Sequence, residues 1–468
     1  MRRARAVVAL ALAAVLSARE AFAATAEQEL GRRFFLEARS QLPIVDDPVV
    51  IEYVTKLGSK LVASLGPQEF DYRFFPVASP VLNAFAVPGG YVFVFTGLIE
   101  KVATDDELAG VLGHEISHVH AHHIVRQQIA GQAWSAAALA GVLLAAINPV
   151  LGAGAIAAAQ TAQLKYSRDF EQEADYLGLR ITDQAGYDPR ALASFFKQLL
   201  ADQQLNPAGM PPYMLSHPVT QERVAHVDSV VRSQGLKTPP GRPAASPELA
   251  EVRAVVEAID QPNEVVVPRY EVRAKEKPKD AERQFLLGRV YQIVGKLEAA
   301  KTALEAARDL GFGPRVDRPL GSVYLGLKQP EAAKAALERQ LARKPDDGWT
   351  RLELAKALTD LKQDDAAERE LSRAITLDPT LDDAQRRLGM ALGRKGDQAE
   401  GFYRLGVAAE LRGELDQAYS HFRRAEPLFA KDSQRHAEIE AALDELQPLV
   451  RDREREREQS QRGRSGVR

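Results

Sequence analysis

The chain has 468 residues, long for a single domain, and 45% of them are hydrophobic, enough to build two or three cores. Sixty-one Lys and Arg against 64 Asp and Glu leave a net charge of −3, which gives no basis for binding nucleic acid. Cysteine is absent, so disulfides, thiolate metal sites, a cysteine nucleophile and an N-terminal lipidated cysteine are excluded, and any metal must rest on histidine and carboxylate.

Residues 1–23 have the form of an export signal. Met1-Arg2-Arg3-Ala4-Arg5 is a basic start, Ala6 to Ala18 a mostly apolar run, and Ala21-Phe22-Ala23 a small-x-small cleavage site. The run is shorter than the ~20 residues of a membrane span. The mature chain is expected to begin at Ala24, outside the cytoplasm.

A helical pattern covers residues 26–65, and the aromatic-rich alternation from Phe70 to Val77 predicts a strand. In Asn83 to Ile99, Pro88-Gly89-Gly90 marks a turn, and Tyr91 to Thr96 are strand formers. A hairpin feeding a helix is the expected arrangement. Tyr91 to Thr96 is expected either as a core strand or as an exposed edge that holds substrate as an added strand.

The helix from Asp105 carries "ELAGVLGHEISHVHAHH", with five of the nine histidines. His114-Glu115-Ile116-Ser117-His118 is H-E-x-x-H. Positions i and i+4 share a helix face, so both imidazoles can reach one zinc ion. Glu115 beside the first ligand can act as a base toward the water that the metal activates. Catalytic zinc takes a third protein ligand and keeps an open position. A third histidine six residues after His118 would mark one large class, but Ile124 stands there and excludes it. The alternative is a carboxylate from "YSRDFEQEADYLG", Tyr166 to Gly178. Glu171 and Asp175 lie one turn apart on one face. Glu171 can bind zinc while Asp175 accepts the other ring N–H of a ligand histidine. Glu173, on another face, is the second choice of ligand. His122 is read as structural or as supporting a ligand, one further turn along that face, and His120, His226, His421 and His436 as ordinary polar residues.

Residues 127–164 contain no charged residue and no histidine. They are expected as a buried or membrane-touching hairpin, with a single membrane span as the alternative. Helices are expected again at residues 165–185 and 189–204. "LKTPPGRPAASP" then sets a boundary. Beyond it Gly288, Gly321, Ala355 and Gly389 recur at spacings of 33, 34 and 34. Ala300, Ala333 and Ala367 follow the first three by twelve residues, and Leu304, Leu337 and Leu371 by sixteen. This is the tetratricopeptide period. After Gly389 the register reads as broken, with a restart at Leu405-Gly406, so about four repeats are expected, one of them incomplete. The expected division is a signal at 1–23, a peptidase domain at 24–235, a linker at 236–262, repeats at 263–447 and a charged, disordered tail at 448–468.

Four segments together resemble the HtpX-like zinc metallopeptidases, the family that includes the CAAX prenyl proteases. They are Asn83 to Ile99, the H-E-x-x-H helix, the Glu171-x-x-Ala174-Asp175 helix and His217-Pro218 in "YMLSHPVTQERV". The resemblance implies one zinc on His114, His118 and Glu171, with Glu115 as base and Asp175 behind a ligand. It also puts His217 near the metal, either as a donor to the oxyanion or as a self-inhibiting latch on the open zinc position. Where the family usually has Arg-His after the metal helix, this chain has His122-His123. The implied fold is an α+β zincin-type (gluzincin) metallopeptidase domain followed by an all-α tetratricopeptide-repeat solenoid. With the signal and the repeats added, the whole chain is similar to periplasmic members that assist β-barrel assembly. That likeness implies unfolded or stalled outer-membrane proteins as substrates and contact of the repeats with the β-barrel assembly machinery. The competing classes are a non-proteolytic periplasmic chaperone or scaffold, and an integral membrane protease.

Overall fold

The computed structural model describes residues 27–129, 167–205, 211–236 and 245–465. The predicted signal and most of the uncharged stretch 127–164 lie outside them. Among the described residues no helix is long and apolar enough to cross a membrane. Those residues form two compact units: the first runs to Asp260, apart from 39–41, and the second from Gln261 onward.

The first unit is built on a three-stranded sheet, β1 (Arg73–Val77), β2 (Ala84–Val87) and β3 (Tyr91–Phe95), in the order β1-β3-β2. β1 runs parallel to β3, and β2 pairs with β3 antiparallel as a hairpin. The turn between them needs Pro88-Gly89-Gly90, because Gly89 and Gly90 take φ of 78° and 89°, a region open chiefly to glycine. β3 is therefore the central strand, hydrogen-bonded on both sides. The expectation that it offers a free edge is corrected: β2 is the strand of this hairpin that pairs on one side only. The cause is the parallel partner β1, whose pairing is invisible in local alternation.

Both sheet faces are covered, which explains why β2 and β3 are apolar throughout rather than alternating. On one face Phe75, Phe93 and Phe85 stack across the strands, with ring centroids 5.3 and 4.8 Å apart. The first helix, α1 (residues 27–41), lays Phe34 against Phe85 and Phe93 and stacks Phe35 on Tyr91. On the other face Phe74 packs onto Gly58 of α2 (Pro48–Ala63), where a Cβ would come within 2.2 Å of the ring.

After the short α3 (Thr96–Lys101), the metal-motif helix α4 (Asp105–His120) starts with a reciprocal cap. Thr104 Oγ1 accepts from Glu107 N at 3.1 Å, and Glu107 Oε2 accepts from Ala103 N at 2.6 Å. α5 (His123–Ile129) follows. Ser167 then caps α6 (Arg168–Gln184), which lies directly on α4. The approach depends on Gly113 and Gly178. A Cβ on Gly178 would sit 2.9 Å from His114 N, and one on Gly113 3.0 Å from Gly178 O. Backbone thus meets backbone at the first motif histidine. α7 (Ala191–Leu205), α8 (Pro212–Ser216) and α9 (Gln221–Ser233) complete this side. Within the stretch read as linker, Pro247–Asp260 forms a further helix, α10, that packs on α2 and α3.

The second unit is all helical. Its helix pairs include Ala281–Ile293 with Leu297–Asp309, Asp317–Gly326 with Pro330–Arg343, and Gly348–Asp360 with Asp364–Leu377. The recurring glycines sit where paired helices touch: a Cβ on Gly288 would meet Leu304 at 2.6 Å, and one on Gly321 would meet Leu337 at 2.5 Å. The register does not break after Gly389. Asp382–Arg394 pairs with Gln398–Leu411, and Gly401, twelve residues after Gly389, faces it, with Leu405 in the sixteenth place. Reading Ala as the required residue hid this, since glycine meets the same steric demand. The helix Gln398–Leu411 also packs on Leu415–Ala425, where Gly406 contacts Phe422, so one helix serves two successive pairs. The segment expected as a disordered tail continues one helix, Gln434–Ser465. Its earlier turns bury Ile439, Leu443 and Leu446.

Candidate metal centre

His114 and His118 project from one face of α4, with their Nε2 atoms 3.1 Å apart. Glu171 reaches in from α6: its Oε2 lies 3.6 Å from His114 Nε2 and its Oε1 3.5 Å from His118 Nε2. His217, just past α8, completes the group, with Nδ1 3.0 Å from Glu171 Oε1 and 3.3 Å from His114 Nε2. All four residues are buried, between 0 and 3% exposed, and one donor atom from each lies within 4.8 Å of the others.

These separations test whether the residues suit a metal ion. With metal–nitrogen bonds of about 2.0–2.1 Å, the edges of a tetrahedral site are about 3.3–3.4 Å. The observed 3.0–3.6 Å bracket that value. Two imidazole lone pairs do not face each other at 3.1 Å unless a proton or a cation lies between them. The donor set therefore fits a metal ion held by two imidazoles and a carboxylate, with His217 on the fourth position.

Electrostatics favour the same conclusion. Burial holds His118 well below its ordinary pKa, so its ring is neutral and able to bind metal. Burial alone would raise Glu171, but His217 and Arg223 outweigh it and keep the carboxylate ionised. For His217, burial disfavours the proton while Glu115 and Glu171 draw the pKa upward. The same two carboxylates that attract this proton would attract a metal ion. Glu115 itself is raised by burial, against the pull of His217 and His114. Its Oε1 lies 3.6 Å from His217 Nε2, and the Ala86 N–H on β2 donates to its carboxylate.

A second ring of residues fixes the first. Asp175 Oδ1 is 3.0 Å from His114 Nδ1, as expected for the residue behind a ligand. Two supporting residues were missed in the sequence. Arg223 on α9 is buried and sends Nε and Nη2 to the Asp175 carboxylate at 2.9 and 2.7 Å, and Nη1 to Glu171 Oε2 at 2.6 Å. His123 Nδ1 lies 2.9 Å from His118 Nδ1, and its Nε2 is 3.2 Å from Glu173 Oε2. His123 also stacks on Phe170, with centroids 4.5 Å apart. Glu173, the second choice of ligand, thus pairs with His123 and Arg126 rather than joining the cluster.

His122 is not one turn further along the ligand face. α4 ends at His120, and His122 takes φ of 53°, which turns the chain. His122 Nδ1 then lies 2.7 Å from Glu27 Oε2 of α1, while His123 is folded back under the site. The signal available was the buried pair Glu171 and Asp175, which demands a cation; nothing local identified Arg223 as that cation.

Residues 50–231 match the family model described as Peptidase family M48, and residues 324–380 match one described as Tetratricopeptide repeat. The chain carries a family M48 metallopeptidase domain. Tetratricopeptide repeats follow it. The chain is 38% identical to a relative from Vibrio cholerae over 210 residues, 43% of each chain. It is 28% identical to the beta-barrel assembly-enhancing protease of Yersinia pestis over 359 residues, 73% of this chain and 72% of that one. Over 180 residues, 38% of this chain and 36% of the relative, it is 32% identical to the mitochondrial metalloendopeptidase OMA1 of Arabidopsis thaliana.

Proposed function

We propose that this metallopeptidase is a periplasmic zinc endopeptidase that cleaves unfolded or stalled outer-membrane β-barrel proteins, with its repeats contacting the assembly machinery. The observation that carries the chemistry is the convergence of His114, His118 and Glu171 on tetrahedral edges beside Glu115. Similarity to the beta-barrel assembly-enhancing protease of Yersinia pestis supports the biological role. The predicted export signal supports the compartment.

In this reading His114, His118 and Glu171 hold zinc, and Asp175, Arg223 and His123 orient those ligands. Zinc, when bound, acidifies a water molecule and polarises the scissile carbonyl. Glu115 takes the proton of the attacking water on its carboxylate and returns it to the leaving amine. Burial raises the Glu115 pKa, which makes it a stronger proton acceptor than an exposed carboxylate. β2 offers the substrate backbone an edge. Phe95 N donates to Asn83 O, so the polar groups of Phe85 and Val87 face β3 and those of Ala84 and Ala86 face away, where the Ala86 N–H is already taken by Glu115.

Of the two roles open to His217, the latch is favoured. Its Nδ1 lies 3.0 Å from Glu171 Oε1 and 3.3 Å from His114 Nε2, within the donor set itself. The resting enzyme is then closed, and cleavage needs the imidazole to swing away. The test uses zinc-loaded His217→Ala. A latch gives faster cleavage of unfolded protein and faster loss of zinc to a chelator. An inactive variant that still holds its zinc would make His217 the oxyanion donor instead.

A further inference from the structure

Four residues before His217, on α8, lies Tyr213. It is fully buried, and its hydroxyl has no hydrogen-bond partner among the described residues. The ring makes two aromatic contacts. It stacks on His217 with centroids 5.0 Å apart and planes 30° apart, and meets Phe195 edge-on at 6.3 Å. Its backbone N–H donates to Leu82 O, and its carbonyl accepts from His217 N at 2.8 Å. Phenylalanine would make each of these contacts. The hydroxyl adds only a buried polar group, and such groups are destabilising unless something uses them.

The surroundings indicate the use. A phenol is a neutral donor at ordinary pH, and this one belongs to a ring packed on the imidazole that reaches the base. Glu115 Oε1 also lacks a hydrogen-bond partner among the described residues and lies 3.6 Å from His217 Nε2. The His217 imidazole therefore meets the base through Nε2 and the Tyr213 ring through its face. Its departure would uncover both together.

We infer that Tyr213 is a catalytic residue whose hydroxyl donates a hydrogen bond to the reacting carbonyl oxygen of the peptide, and that His217 covers it in the resting enzyme. As water adds to the carbonyl carbon, its proton passes to Glu115 and the C=O π pair moves onto oxygen. Tyr213 donates to that oxygen and keeps its own proton. When the C–N bond breaks, the pair returns and Glu115 gives its proton to the amine. A fixed donor aimed at developing charge is among the larger contributions to such reactions.

The inference rests on the reading of His217 as a latch, so the experiment separates the two. Four full-length, zinc-loaded proteins are compared on dye-labelled unfolded casein: wild type, His217→Ala, Tyr213→Phe and the double variant. The double variant should show kcat lower than His217→Ala by on the order of 100-fold. KM and zinc content should be unchanged, and Tm equal or higher, since an unmet hydroxyl has been removed. Equal kcat with a raised Tm would reduce Tyr213 to a stacking ring. A loss of kcat accompanied by lower Tm or zinc content would make its role structural. If His217→Ala alone is inactive with zinc bound, the latch fails, and the covered donor fails with it.

Discussion

Replacing Arg223 with methionine removes one buried guanidinium and strands two buried carboxylates. Arg223 makes two charge-assisted hydrogen bonds to Asp175, at 2.9 and 2.7 Å, and an ion pair with Glu171 Oε2 at 2.6 Å. At about 1.5–3 kcal/mol each, the gross loss of the two hydrogen bonds is about 3–6 kcal/mol, before the ion pair is counted. Part is offset because the arginine no longer has to be desolvated, and breaking a buried pair from one side costs about 3–5 kcal/mol net. Methionine can still cover Phe196, over which the guanidinium lies at 4.6 Å, so lost packing is a minor part. For a unit of this size, about 2–4 °C per kcal/mol gives a fall in Tm of about 6–20 °C. The fall should be largest in chelator. Bound zinc supplies positive charge to Glu171 but not to Asp175, so metal should recover part of it and no more. Zinc affinity should also drop about 10- to 100-fold, because Asp175 no longer holds His114. Thermal unfolding with zinc and with chelator, beside the exposed control Arg232→Met, measures this. If Arg223→Met melts with wild type in chelator, the carboxylates are not held ionised by Arg223, and the electrostatic account of the site is wrong.

Glu115→Gln should retain about one zinc per chain and lose cleavage by roughly 100-fold or more, whereas Glu171→Ala should lose both, read by metal analysis and peptide hydrolysis. Glu173→Ala should leave zinc in place; loss of zinc there with full occupancy in Glu171→Ala would exchange the two assignments. In the repeats, Ala333→Leu or Ala367→Leu should overpack a helix contact at a cost of about 1–3 kcal/mol without changing zinc content, seen by melting and metal analysis in parallel. Burial alone would raise Asp383, but Lys356 and Arg387 outweigh it and hold it well below its ordinary 3.8. A depressed folded pKa gives stability that is full above the unfolded value and is lost as pH falls. The repeats should therefore weaken below about pH 4, and Asp383→Asn should flatten that acid limb in pH-dependent melting.

The sequence alone carried those parts of the site that obey a local period. His114 and His118 are four apart on one helix, as are Glu171 and Asp175, and a helix brings i and i+4 together wherever it packs. The same locality made the repeats legible, since each spacing is set within one pair of helices. Gly401 escaped only because a different small residue filled the place of alanine. What the sequence left undecided involves contacts between elements far apart in the chain. β3 became a central strand because β1, fourteen residues upstream of Tyr91 at its nearer end, pairs beside it. His123 entered the site because the chain leaves the helix at His122 with φ of 53°. Arg223 arrives from 48 residues past Asp175. His217, reached through its Pro218 signature, keeps both roles the sequence left open, and the closeness of its Nδ1 to Glu171 and His114 is what favours the proposed latch. Periodicity fixes which side chains share a face. The partner that each face meets, and so each group's charge and access to substrate, is set by packing in three dimensions.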